Sequence, residues 1–226
     1  PGLSPVKTRL AVELGQENAE AFHLASSRSV SSVVQALGKL DDVQSYYAVA
    51  EESALNHSYW KGLPCVWQGE GGLGERMAHI YQTLLYKHDF VILVGADIPQ
   101  MTLKQLQKAT AWLPHNEQAR LAFGPSDDGG FWLFGGNCNI PNEVWTDVIY
   151  SEAETGTHFL NKIKKIGDIN VLESLNDVDE VDDLIQLQSE LSNLPIPTKA
   201  QKELGYFVDK LVNNELNIKP KKACAM

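Results

Sequence analysis

The sequence is poor in cysteine, and what it has is not arranged for chemistry. Cys65, Cys138 and Cys224 are odd in number and far apart, which argues against a disulfide framework. No pair of them has the spacing of a zinc site, and a reducing cytosol is the expected compartment. Long apolar runs are also lacking. None approaches the roughly 20 residues that span a bilayer, and no signal-peptide pattern stands at the start. Positive charge is scarce: 19 Lys and Arg stand against 29 Asp and Glu, for a formal charge of −10. Nucleic acid and anionic membranes need clustered cations to displace counterions, so neither is an expected partner. The basic group Lys219, Lys221 and Lys222 around Pro220 reads as a solvated tail. There is no nucleophile elbow and no G-x-x-x-x-G-K-[ST] loop, and the scattered histidines pair with no suitable Cys or Ser.

What is present is a globular composition, 43% hydrophobic over 226 residues, long enough for one large domain. Apolar periodicity predicts helices over residues 16–39, 75–86, 102–113 and 157–165, with Thr102 as a cap, and a late helix that begins at Asp179 as its cap. Runs of β-branched and aromatic residues predict strands over 43–50, 63–67, 90–94, 121–123, 131–134 and 169–175. The 90–94 run is apolar without alternation, which predicts a central, buried, parallel strand covered by helices on both faces. Strands alternating with helices predict a Rossmann-like α/β domain over residues 1–194, its sheet mostly parallel or mixed and flanked by helices. Such a domain usually opens on a buried strand, whereas Pro1-Gly2-Leu3-Ser4-Pro5 is turn chemistry. The natural chain is therefore expected to continue upstream, with Pro1 to Pro5 near the cleft and one side of a central strand unpartnered. Pro195 and Pro197 end the architecture. Residues 195–226 are expected to form a C-terminal extension, an amphipathic helix over 198–214 and then a loose tail.

Four polar clusters fall at strand ends or in glycine-rich loops, where ligands bind in open α/β sheets. Lys7-Thr8-Arg9 puts two cations and a hydroxyl beside backbone N–H groups, suited to a diphosphate; a plain basic turn is the competing reading. Gln68 through Met77 carries Gly69, Gly71, Gly72 and Gly74 ahead of Arg76. It reads as a loop approached by a ligand, as a flexible connection, or as a G-x-G-x-x-G fingerprint away from its usual opening position. Asp97 stands just past the apolar strand, either a ligand for a hard cation such as Mg²⁺ or a turn cap. Asp127 and Asp128 precede two glycines, a β-turn in which one acid serves a metal or a sugar hydroxyl, or a turn alone. Asp177 is a further candidate ligand.

In order and spacing, these clusters resemble a family of bacterial glycosyltransferases with the glycosyltransferase-A, or nucleotide-diphospho-sugar transferase, fold, some of whose members are named for arsenosugar biosynthesis. The matching stretches are Pro1-Gly2 with Val6 to Leu10, Gln68-Gly69-Glu70 through Gly74-Glu75-Arg76-Met77, Gly95 to Pro99, Gly124 to Phe131, and Asp177-Val178-Asp179 with Asp182-Asp183-Leu184. The resemblance covers about residues 1–190. It departs at Tyr150-Ser151, where the family tends to carry Trp-Ser. It implies that Lys7 and Arg9 hold nucleotide phosphates, that Asp97 is the principal ligand of Mg²⁺ or Mn²⁺, and that Asp127 and Asp128 shape the sugar or acceptor side. The activity it implies is glycosyl transfer from a nucleotide-diphosphate sugar to a small-molecule acceptor. Val6-Lys7-Thr8-Arg9-Leu10 is also similar to the Lys-Ser-Arg-Leu stretch of 2-phospholactate guanylyltransferases, which implies nucleotidylyl transfer instead. A sugar-nucleotide-binding protein without turnover is a third expectation.

Overall fold

The computed structural model describes residues 6–40, 42–114 and 117–215. Two helices open it, α1 (Thr8–Leu14) and the long α2 (Gln16–Leu40), separated at Gly15, whose φ of 79° is the left-handed turn that ends α1. Then follow β1 (Tyr47–Val49), β2 (Cys65–Trp67), α3 (Leu73–Leu85), β3 (Val91–Val94) and α4 (Leu103–Trp112). The hairpin of β4 (Arg120–Pro125) and β5 (Phe131–Gly136) precedes the short α5 (Asn142–Thr146) and α6 (Thr155–Ile163). The described chain closes with β6 (Asp168–Val171), α7 (Val181–Ser192) and α8 (Lys199–Lys210), which runs on into a π-helical turn.

The strands form two sheets: a parallel pair β1–β2, and a four-stranded sheet in the order β3-β5-β4-β6. The second sheet is mixed, with β5 antiparallel to both neighbours and β6 parallel to β4. This corrects the expected place of the 90–94 run. Among the described residues β3 is an edge strand, half-buried over most of its length, and antiparallel to its one partner. The tight loop Ser126–Gly130 turns the chain straight back, so β5 enters the sheet antiparallel and takes the position beside β3.

Alternation along β4 shows how both faces are covered. Leu121 and Phe123 pack with Tyr81 of α3, Trp145 of α5 and Phe159 of α6. Ala122 faces the other way, onto Val33 and Leu37 of α2 and Leu106 and Ala109 of α4. A third cluster joins α1 and α2 to the late helices through Leu10, Phe22, Leu184, Leu187, Leu204 and Val208. The helix expected past Pro195 is present as α8. It is capped by Thr198 and Gln201, and the buried Gln201 amide also donates to the carbonyls of Pro99 and Met101, both at 2.9 Å. That pair of bonds ties α8 to the loop that follows β3.

β1 and β3 both line one cavity of about 1570 Å³. Val30, Val34 and Leu37 of α2 and Met77, Ile80 and Leu84 of α3 supply apolar walls. Among the described residues β1 pairs only with β2 and β3 only with β5, so the edges without a ladder partner belong to edge strands and not to the central strand that was expected to have one. Pro1 to Pro5 and the basic tail lie outside the described residues. No helix among the described residues is long and apolar enough to cross a membrane.

Candidate active site

The polar mouth of the cavity forms where the chain leaves β3. The Gly95 N–H donates to the Trp132 carbonyl at 2.9 Å, and the chain then bends. Ser26 of α2 donates its hydroxyl to the Ala96 carbonyl at 2.7 Å, and the Val178 N–H reaches the Asp97 carbonyl at 3.4 Å. Three distant segments thus hold the bend that presents Asp97. The Thr102–Gln105 capping box starts α4 directly behind it, as the sequence predicts for Thr102.

Lys7 is the N-cap residue of α1 and sits in the left-handed region at φ 49°, ψ 48°. Its side chain is only 4% exposed; Nζ lies 3.1 Å from Asp97 Oδ2 and donates to Asp179 Oδ1 at 2.7 Å. Among the described residues positive φ occurs at two non-glycines, Lys7 and Ser151, and both line this cavity. An L-residue in that region costs about 1–2 kcal/mol, so the fold holds strain on two walls of one site. Arg9, largely exposed, reaches Asp179 Oδ2 at 3.8 Å.

Asp179 is not the cap it was expected to be. The Asp183 carboxylate accepts the N–H groups of Asp179 at 2.9 Å and Glu180 at 2.8 Å, so Glu180 is the cap of α7 and the Asp179 side chain is left to the lysine. Sequence reasoning also missed His23, whose Nδ1 lies 3.6 Å from Asp97 Oδ1. Both of those atoms are buried without a hydrogen-bond partner. The pair Asp179 and Asp183, four apart, was a legible signal that two acids compete for one cap. Nothing local marks His23, which reaches Asp97 only through the fold.

The charges interlock. Burial favours the neutral amine of Lys7, but Asp97 and Asp179 outweigh it and raise the pKa above the ordinary lysine value. Burial likewise pushes the Asp97 carboxyl up, and His23 and Lys7 more than reverse it, holding Asp97 below the usual carboxylate value. Asp177 goes the other way: burial first, then the charges of Asp128 and Asp179, push it up to about 6. The mouth therefore carries more negative charge than Lys7 neutralises.

Of the residues singled out in the sequence, Lys7, Thr8, Arg9, Arg76, Asp97, Asp128 and Asp177 line this cavity. Arg76 Nε closes the glycine loop on the Gly71 carbonyl at 3.0 Å. Asp128 Oδ1 accepts the Ser126 hydroxyl at 2.6 Å and the Gly130 N–H at 2.8 Å, so this acid organises its own turn while facing the cavity. Asp127 and Gly74 are not among the residues that line it. Asp127 accepts the Ser174 hydroxyl instead. Gly74 is buried inside α3, and a Cβ there would collide with the Trp145 carbonyl and lie 2.9 Å from the Tyr150 ring. Close packing of α3 on α5 thus accounts for this glycine.

Known proteins place the fold. No curated protein matches the chain. A crystal structure from Desulfovibrio desulfuricans G20, described as a "putative nucleotide-diphospho-sugar transferase", superposes with a TM-score of 0.74 at 24% identity, over 93% of this chain and 92% of that one. At that identity the likeness shows the fold, a mixed α/β architecture shared over nearly the whole of both chains. The family described as "Uncharacterized protein conserved in bacteria (DUF2064)" matches residues 30–152, more than half of the sequence, and the chain belongs to that family.

Proposed function

We propose that this protein is a metal-dependent glycosyltransferase that takes a nucleotide-diphosphate sugar as donor. The observation that carries the reading is the Lys7 ammonium, buried between Asp97 and Asp179 where the chain leaves β3, with Arg9 and Arg76 lining the same cavity. Cations beside the end of a strand in an α/β sheet suit a diphosphate, and Arg offers it a bidentate fork. The fold neighbour's description supports a nucleotide sugar as the substrate class. The motif order that carries the family resemblance supports kinship with its arsenosugar-associated branch.

The residues present fit an open Mg²⁺ or Mn²⁺ site. Asp97 Oδ1 is a buried acceptor without a hydrogen bond, and Asp177, raised by burial and then by its acidic neighbours, gains from any added cation. Among the described residues no group of three or more His, Cys, Asp or Glu is arranged to cage a metal. Asp97, with Asp177 on the same cavity, would therefore hold the ion through one or two carboxylates, leaving its other positions to phosphate oxygens and water. When bound, the ion neutralises charge on the leaving diphosphate. Lys7 and Arg9 would add positive charge for the diphosphate, lowering the barrier as an acceptor hydroxyl oxygen bonds to the sugar C1 and the C1–diphosphate bond breaks. Asp128 lines the cavity from the Ser126–Gly130 turn and would meet a sugar or acceptor hydroxyl, while Asp127, on the same turn, does not line it.

Nucleotidylyl transfer is the second reading, favoured by the Lys7-Thr8-Arg9-Leu10 stretch. A thermal-shift screen of nucleotides and sugar nucleotides with Mg²⁺ or Mn²⁺ finds the ligand, because binding stabilises the fold by mass action. Product analysis then decides. Release of a nucleoside diphosphate supports glycosyl transfer, pyrophosphate from a nucleoside triphosphate supports the second reading, and tight binding without turnover supports a binding protein.

A further inference from the structure

The carboxylate assigned to a divalent ion already holds a cation. Lys7 Nζ lies 2.7 Å from one Asp179 oxygen and 3.1 Å from one Asp97 oxygen, and the side chain is 4% exposed. An ion bound to Asp97 would sit about 2.1 Å from its oxygen, beside the ammonium that already holds Oδ2. Two cations on one carboxylate repel each other. The backbone of Lys7 is fixed by the cap of α1, where its carbonyl accepts the Ala11 N–H at 2.9 Å, but its four-carbon stem can swing. Asp97 retains an unused acceptor, Oδ1, on the side away from the lysine contact. The acids Asp97, Asp128, Asp177 and Asp179 line the cavity together with Lys7, so its departure takes positive charge away from them.

Resting on the reading that Asp97 holds the metal, we infer that Lys7 is the resident counter-ion of the empty site and that a divalent ion enters by exchange with it. The ion takes the Asp97 carboxylate as the Lys7 ammonium moves to the incoming diphosphate. A metal arriving alone must displace an ion pair and leave the ammonium without a partner, whereas a metal arriving with phosphate supplies that partner. Metal and diphosphate therefore bind in concert, each weak without the other, by the reciprocity of linkage.

Mn²⁺ binding measured by electron paramagnetic resonance tests this on the full chain, with Mn²⁺ alone and with inorganic pyrophosphate, corrected for their complex in solution. In the wild type, pyrophosphate should raise Mn²⁺ affinity by about ten-fold or more, within the usual range of coupling between sites. Lys7→Met should bind Mn²⁺ alone about ten-fold more tightly than wild type, with the pyrophosphate effect largely gone. Lys7→Arg keeps the charge and should stay weak for Mn²⁺ alone. Wild-type binding that depends on Asp97 but gains nothing from pyrophosphate overturns the exchange while leaving Asp97 as the ligand, and needs no variant of Lys7 to fold. Mn²⁺ affinity no higher in Lys7→Met than in wild type does the same. Mn²⁺ binding unchanged in Asp97→Asn sinks both the exchange and the metal assignment beneath it.

Discussion

Asp177→Asn should stabilise the unliganded protein, and by more at neutral than at acid pH. The Asp177 carboxyl is half-buried, and its pKa rises from 3.8 to about 6 because burial, Asp128 and Asp179 disfavour its charge, with Lys7 opposing them weakly. Well below pH 3.8 the group is protonated in both the folded and unfolded chain and has no effect. As pH rises the unfolded chain ionises first, so folding bears a growing cost that becomes complete above about pH 6. At about 1.4 kcal/mol per unit, the full cost is at most about 3 kcal/mol, and residual contact with solvent reduces it to roughly 1–2 kcal/mol. Removing the charge should raise Tm by roughly 3–6 °C at pH 7.5 and by about a third of that at pH 4.5. Differential scanning calorimetry of wild type and variant at the two pH values, without metal, reads this directly. An equal gain at both, or a loss at pH 7.5, refutes the argument that charge crowding raises Asp177.

Two further substitutions separate packing from ligand binding. Gly74→Ala should cost about 1–3 kcal/mol, seen as a lower urea midpoint, because its Cβ meets the Trp145 carbonyl; nucleotide affinity of the folded fraction should be unchanged. Gln201→Leu leaves the buried Pro99 and Met101 carbonyls without their donor, which should cost about 2–3 kcal/mol. Since those bonds steady the loop after Asp97, calorimetry should also show weaker metal and nucleotide binding in Gln201→Leu.

Much of the fold was legible because its signals are local. The unbroken apolar run at 90–94 marks a strand, Thr102 with Gln105 marks the start of α4, and 3.6-residue periodicity marks α2, α3 and α7. The place of β3 in the sheet was not legible, because strand order follows from long-range pairing and one tight hairpin inserted β5 beside it. The five-residue α5 carries too few turns for periodicity to register. In the site, the sequence marked the charged residues but not their pairing. Lys7 and Asp97 stood out in their own motifs, whereas Asp179 was hidden behind a helix-cap role that Asp183 fills, and His23 reaches the site only by the packing of α2.

The central claim is that the mouth of the cavity holds a diphosphate through Asp97-bound metal and Lys7. It is tested most directly by titrating nucleoside diphosphates into wild type and Asp97→Asn by calorimetry, with and without Mn²⁺. Asn keeps the shape and one acceptor oxygen but loses the charge that holds a hard cation. At least one nucleotide should bind the wild type more tightly with Mn²⁺ than without, and Asp97→Asn should lose that gain while its circular dichroism stays native. Equal Mn²⁺-dependent affinity in the two proteins would make Asp97 a partner of Lys7 and nothing more, and would contradict the account.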